Sequence, residues 1–121
     1  MRIVSEAEFN SRIRLLLSAV NDNVGAVTGP GRSGAVAAVY ASHLLGVPFI
    51  PFGQKHPSHL GRLLIVDTAR QSGATMRKAE RRYACETPLS LVCYEEPPRV
   101  AFWYEATKPQ HYKHETLRAA A

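Results

Sequence analysis

Two short stretches of this sequence combine residues that can grip an anion. The first is Gly29-Pro30-Gly31-Arg32-Ser33-Gly34. Its small residues let backbone amides approach a phosphate closely, and Arg32 adds a positive charge. The second is Asp67-Thr68-Ala69-Arg70-Gln71-Ser72-Gly73-Ala74-Thr75. Here a carboxylate precedes a turn of hydroxyl, glycine and hydroxyl. Placed between a strand and a helix, each stretch would also present the free N–H groups and positive dipole end of a helix N-terminus. Gly29, Gly31 and Gly34 have the spacing of a dinucleotide fingerprint. That motif also needs an acid roughly 20 residues on, and no Asp or Glu occurs between Gly34 and Asp67. A Walker loop fails too, because Ala35-Val36 follows Gly34 where Lys-Ser/Thr is required. His56/His59 and His111/His114 have i, i+3 spacing, but neither pair has a third ligand nearby in sequence, which argues against zinc.

The surrounding pattern supplies the elements. Ser5 and Glu8 form a capping box, and Phe9, Ile13, Leu16, Leu17 and Val20 recur at helical spacing, predicting a helix over 6–20. Val24–Thr28 reads as a buried strand, 29–34 as a turn and Ala35–Leu45 as a small-residue helix ended by Gly46. Val47–Phe52 reads as an edge strand because of its two prolines. After a polar loop over 53–61, Arg62–Val66 has the continuous apolar character of a parallel strand covered on both faces. A loop over 67–72, a helix over 73–84, a strand over 89–94 and a β-rich run over 99–105 complete the chain. This alternation predicts an α/β fold with an open, mostly parallel twisted sheet flanked by helices.

With 121 residues the chain is read as a single domain, 1–121. Its net charge of +5 favours anionic partners. The basic residues are dispersed apart from Arg70, Arg77, Lys78, Arg81 and Arg82, so nucleic acid is a lesser reading than a small phosphorylated ligand. Cys85 and Cys93 are expected to be buried or half-buried free thiols. Neither a signal-peptide core nor a run long enough to span a bilayer is evident, so a cytoplasmic location with no membrane partner is expected.

The run Leu63-Leu64-Ile65-Val66-Asp67 through Thr75 resembles the phosphoribosyl-pyrophosphate motif of type I phosphoribosyltransferases, and the resemblance extends over residues 24–95. It implies a 5-phosphoribosyl transfer between pyrophosphate and a nitrogenous base, or binding of a nucleoside monophosphate. Under it, Gln71, Ser72, Gly73, Ala74 and Thr75 wrap the 5′-phosphate, while Asp67 and Thr68 meet the ribose. Gly29, Pro30, Gly31, Arg32, Ser33 and Gly34 form the pyrophosphate loop. Asp67 and Arg32 are the catalytic candidates, and Trp103 and Tyr104 the candidates for stacking on a base. The resemblance also implies a homodimer and a Mg²⁺ ion carried in by the substrate, Asp67 being the one protein carboxylate offered to it.

Several positions depart from the family pattern. Thr68 stands where a second acid is usual, Arg70 where an apolar residue is usual, and Gln71 cannot accept a proton at neutral pH. The 53–61 loop is short, leaving Lys55, His56 and His59 as its candidates for pyrophosphate contact. The hood that would grip the base is reduced or absent. These departures support an alternative: a non-catalytic sensor or regulatory module for a nucleotide or phosphoribosyl pyrophosphate.

Overall fold

The computed structural model describes residues 2–20, 23–70, 72–96 and 98–105. Gln71, His111 and His114 therefore lie outside the described residues. The elements run β1 (Ile3–Val4), α1 (Glu6–Ser18), β2 (Val24–Thr28), α2 (Gly31–Leu45), β3 (Arg62–Ala69), α3 (Ala74–Arg82), β4 (Leu89–Tyr94) and β5 (Ala101–Phe102). Short 3₁₀ turns cover Ser58–Leu60, Ala84–Glu86 and Trp103–Glu105.

β2, β3 and β4 form a parallel sheet with β3 in the centre. Residues along β3 alternate between two cores, as the period-two pleat requires. Leu64 and Val66 join Phe9, Ile13, Leu17, Ala37, Ala38 and Ala41 beneath α1 and α2. Leu63 and Ile65 join Met76, Ala79 and Tyr83 from α3 and its end. Helices thus cover both faces of an open parallel sheet, as the apolar run in β3 predicts. The alanines at 37, 38 and 41, all fully buried, leave no bulk between α2 and the sheet.

Half of the capping box forms: the Glu8 amide donates to Ser5 Oγ at 3.1 Å, while the Glu8 carboxylate accepts from Arg2 and Tyr94 instead. α1 stops at Ser18 rather than reaching residue 20.

Other expectations need correction. Val47–Phe52 is not a strand among the described residues. It makes a single parallel bridge, Phe49 to Val27. The Val27 amide donates to Pro48 O and the Ile50 amide to Val27 O, but Pro48 and Pro51 have no N–H to extend the ladder. The 99–105 run supplies only β5, which pairs in parallel with β1, and then a 3₁₀ turn. β1 itself is too short to leave a periodic signal. Cys85 is exposed, whereas Cys93 is buried.

Candidate functional site

The two anion-gripping stretches meet at the carboxyl ends of β2 and β3, the ligand position in open α/β sheets. A cavity of about 300 Å³ lies between them. Pro30, Gly31, Arg32 and Ser33 line one side, and Asp67–Arg70, Ser72, Gly73, Thr75 and Met76 the other, with Val92 and Arg99 also in its wall. A neighbouring pocket of about 260 Å³ shares Arg70, Ser72, Gly73, Met76 and Val92 and adds Arg77, Glu80, Ser90 and Glu95.

The first stretch is tighter than expected. α2 begins at Gly31, directly after Pro30, so Ser33 and Gly34 belong to its first turn. The Gly34 amide donates to Pro30 O at 3.1 Å and is not free for a ligand. Gly29 and Gly34 serve packing instead. A Cβ on Gly29 would lie 2.0 Å from Gly34 O and 2.7 Å from Val66 O, both backbone atoms. The amides that remain without an intrahelical acceptor are those of Gly31, Arg32 and Ser33. No side chain caps this end, and Gly31, Arg32 and Ser33 all line the cavity.

The second stretch divides differently from the expected 67–72 loop. Asp67, Thr68 and Ala69 are the last residues of β3. Gly73, at φ 83°, turns the chain into α3, a conformation that favours glycine. Ser72 Oγ accepts from the Ala74 amide at 3.3 Å. Thr75, at the second position of α3, lines the cavity, while Ala74 does not.

Asp67 is 8% exposed, and its Oδ1 accepts from the Thr68 amide at 2.8 Å. Burial pushes its carboxyl above the ordinary value, against the pull of the Thr68 amide and the Arg99 charge. Thr68 is buried beside it. Arg70 reaches Glu95 loosely, at 3.7 Å, and its amide donates to Tyr94 O.

Arg99 carries a site charge that the sequence did not reveal. Its guanidinium donates to Val100 O at 2.9 Å and to both oxygens of Glu105 at 3.4 and 3.2 Å. It lies far from Asp67 in sequence within a β-rich run, so no spacing pointed to it. Met76 and Val92 were missed for another reason: apolar walls look like core.

Other candidates lie elsewhere. Trp103 packs against Phe9 and Tyr40 and does not line the cavity. Tyr104 stacks on Phe102, rings 5.7 Å apart and 8° from parallel, and its hydroxyl sits 2.7 Å from Ser33 Oγ. It therefore borders the first loop with its polar tip. Lys55, His56 and His59 do not line the cavity. Their loop is pinned to the far end of α3, where Tyr83 Oη donates to Gln54 O and Arg82 to Gly53 O. His56 is buried with neither ring nitrogen hydrogen-bonded among the described residues; Glu86 Oε2 is 3.6 Å from Nδ1.

The donor set does not suit a protein-held divalent metal. Among the described residues Asp67 is the sole carboxylate in the cavity wall, and no three His, Cys, Asp or Glu side chains are placed to hold one. No helix of the described residues is long and apolar enough to cross a membrane.

No family model matches the sequence, and a search of curated proteins finds no match. Solved structures do match. A hypothetical protein from Neisseria gonorrhoeae, solved with ppGpp bound, superposes with a TM-score of 0.70 at 12% identity, over 93% of this chain and 94% of its own. Helicobacter pylori xanthine-guanine-hypoxanthine phosphoribosyltransferase gives 0.67 at 13% identity, over 93% and 97%. A purine phosphoribosyltransferase from Pyrococcus horikoshii gives 0.60 at 16% identity, over 85% and 94%. At such identities the likeness is one of fold. With its open parallel sheet and helices on both faces, the chain is a divergent example of the type I phosphoribosyltransferase fold.

Proposed function

We propose that this chain binds phosphoribosyl pyrophosphate or a nucleoside monophosphate in the cavity between its two loops and transfers a 5-phosphoribosyl group to or from a nitrogenous base. The observation that carries the reading is the convergence on a single cavity of the uncapped start of α2, the start of α3 and one buried carboxylate. Ser72, Gly73 and Thr75, with the first amides of α3, take the 5′-phosphate. Asp67 accepts from ribose hydroxyls, with Thr68 beside it. Arg32 and the amides of Gly31–Ser33 take the pyrophosphate.

In the transfer, the bond between C1′ and the pyrophosphate oxygen breaks, its electron pair leaves with pyrophosphate, and a base nitrogen forms the new bond to C1′ while its proton passes to the departing pyrophosphate or to water. The protein's share is positioning and stabilisation of negative charge on the leaving group. Length is no obstacle to this reading: the chain spans 97% of the Helicobacter pylori transferase. A homodimer is part of the same proposal.

A second reading, a sensor that binds the ligand without turning it over, is favoured by Thr68 in place of a second acid. The Neisseria gonorrhoeae protein with bound ppGpp supports it as well.

Calorimetry with phosphoribosyl pyrophosphate tests both. Wild type is expected to bind, and Ser72→Glu, which puts a like charge in the phosphate loop, to lose binding. Pyrophosphate release across a panel of bases then separates transferase from sensor. Unaltered affinity in Ser72→Glu would show that the phosphate sits elsewhere.

A further inference from the structure

The starting point is the reading above, that the cavity takes a phosphorylated ribose. We propose that the cavity binds its pyrophosphorylated ligand without a divalent cation, the Arg99 guanidinium supplying the positive charge that a metal ion would bring.

The donor chemistry leads there. Mg²⁺ is ordinarily held by one or two carboxylates together with substrate phosphates. Here Asp67 is the one carboxylate that the described residues place in the cavity wall, and its Oδ1 is already engaged by the Thr68 amide at 2.8 Å. The adjacent Thr68 is neutral. Three arginines, Arg32, Arg70 and Arg99, line the same cavity. Even with Glu95 and Glu105 offsetting Arg70 and Arg99 in part, a wall of three arginines and one carboxylate favours a pyrophosphate over a divalent ion.

Arg99 is the best placed of the three to act as a fixed charge. Its side chain is 28% exposed, against 45% for Arg70, so solvent screens it less. Val100 O and Glu105 hold the guanidinium at 2.9 to 3.4 Å. Glu105 offsets part of the charge, but it also orients the fork. The remaining N–H groups of Arg99 have no acceptor among the described residues. A planar guanidinium matches phosphate oxygens two at a time, which a mobile ammonium does not.

The test is titration calorimetry of the whole chain with phosphoribosyl pyrophosphate, in EDTA and in excess Mg²⁺. Wild type is expected to bind in EDTA within about threefold of its affinity in Mg²⁺, a difference under 1 kcal/mol. Arg99→Gln is expected to lose about tenfold to a hundredfold in EDTA, the span of a hydrogen bond to a charged group, and to recover part of that loss in Mg²⁺. Arg99→Lys, which keeps the charge but not the fork, should lose part of the wild-type affinity in EDTA, less than Arg99→Gln loses, and carries the test if Arg99→Gln fails to fold. Wild-type binding that requires Mg²⁺ overturns the proposal while leaving the phosphoribosyl reading in place. So does an Arg99→Gln variant that binds in EDTA as wild type does. No binding in either condition removes the phosphoribosyl reading and this inference with it.

Discussion

Asp67 shows how a single residue at this site works against the fold that holds it. Its carboxyl is buried, and desolvation pushes its pKa above 3.8. A carboxyl so raised binds its proton more tightly in the folded state, so it costs stability once pH rises through its titration range, and none below about 3.8. Asp67→Asn keeps the oxygen that accepts from Thr68 and removes the charge. It is expected to raise the Tm by a few degrees at pH 7, with the gain shrinking as pH falls toward 4. The same variant should bind phosphoribosyl pyrophosphate about tenfold to a hundredfold more weakly. A lower Tm at pH 7 would contradict the first expectation and unchanged affinity the second. The cysteines differ just as sharply. Burial, then the Asp67 charge, pushes the Cys93 thiol up to about 12. Mass spectrometry after maleimide treatment of the native protein should find one label, on Cys85, and a second only in denaturant. Much at this scale was legible: Arg32, Asp67, Ser72, Gly73 and Thr75 all fall on one cavity. Arg99 was not, because a side chain that enters a site from a distant segment leaves no trace in local spacing.

At the scale of elements, the turn from β2 into α2 shows what sequence reading captures and what it misses. The strand Val24–Thr28 and the end of α2 at Gly46 were both readable, because apolar runs and terminal glycines act locally. The start of α2 was not. Gly29, Gly31 and Gly34 look alike in sequence but do different work. Gly31 takes φ 66° with open space around it, while Gly29 and Gly34 pack backbone on backbone. Gly29→Ala must therefore push the turn away from β3. Urea unfolding should show a loss of about 1–3 kcal/mol or more, as overpacking does. A wild-type midpoint would mean that the turn relaxes freely. Val47–Phe52 fell short of a strand for a related reason: composition favours extension there, but two residues in it lack the N–H that a ladder needs.

Across the whole molecule, cohesion is uneven. β3 is paired on both edges and covered on both faces, with Leu63 to Thr68 all buried. β1 and β5 share two residue pairs. Hydrogen exchange should accordingly find the Leu63–Val66 amides opening only with global unfolding, and the Ala101 amide, which donates to Arg2 O, opening locally and much earlier. Equal protection of the two regions would refute this. The doubly wound layout was legible because β3 is apolar on both sides. The β1–β5 pairing was not, since two-residue strands carry no period.

The aromatic chain beside the first loop has a practical consequence. Trp103 is the sequence's lone tryptophan, and it meets Tyr104 edge to face at 5.0 Å. Tyr104 in turn touches Ser33, in the cavity wall. The protein thus carries its own optical probe one residue removed from the cavity wall. An anion that draws Ser33 away from the phenol should alter indole emission, so ligand screening needs no dye.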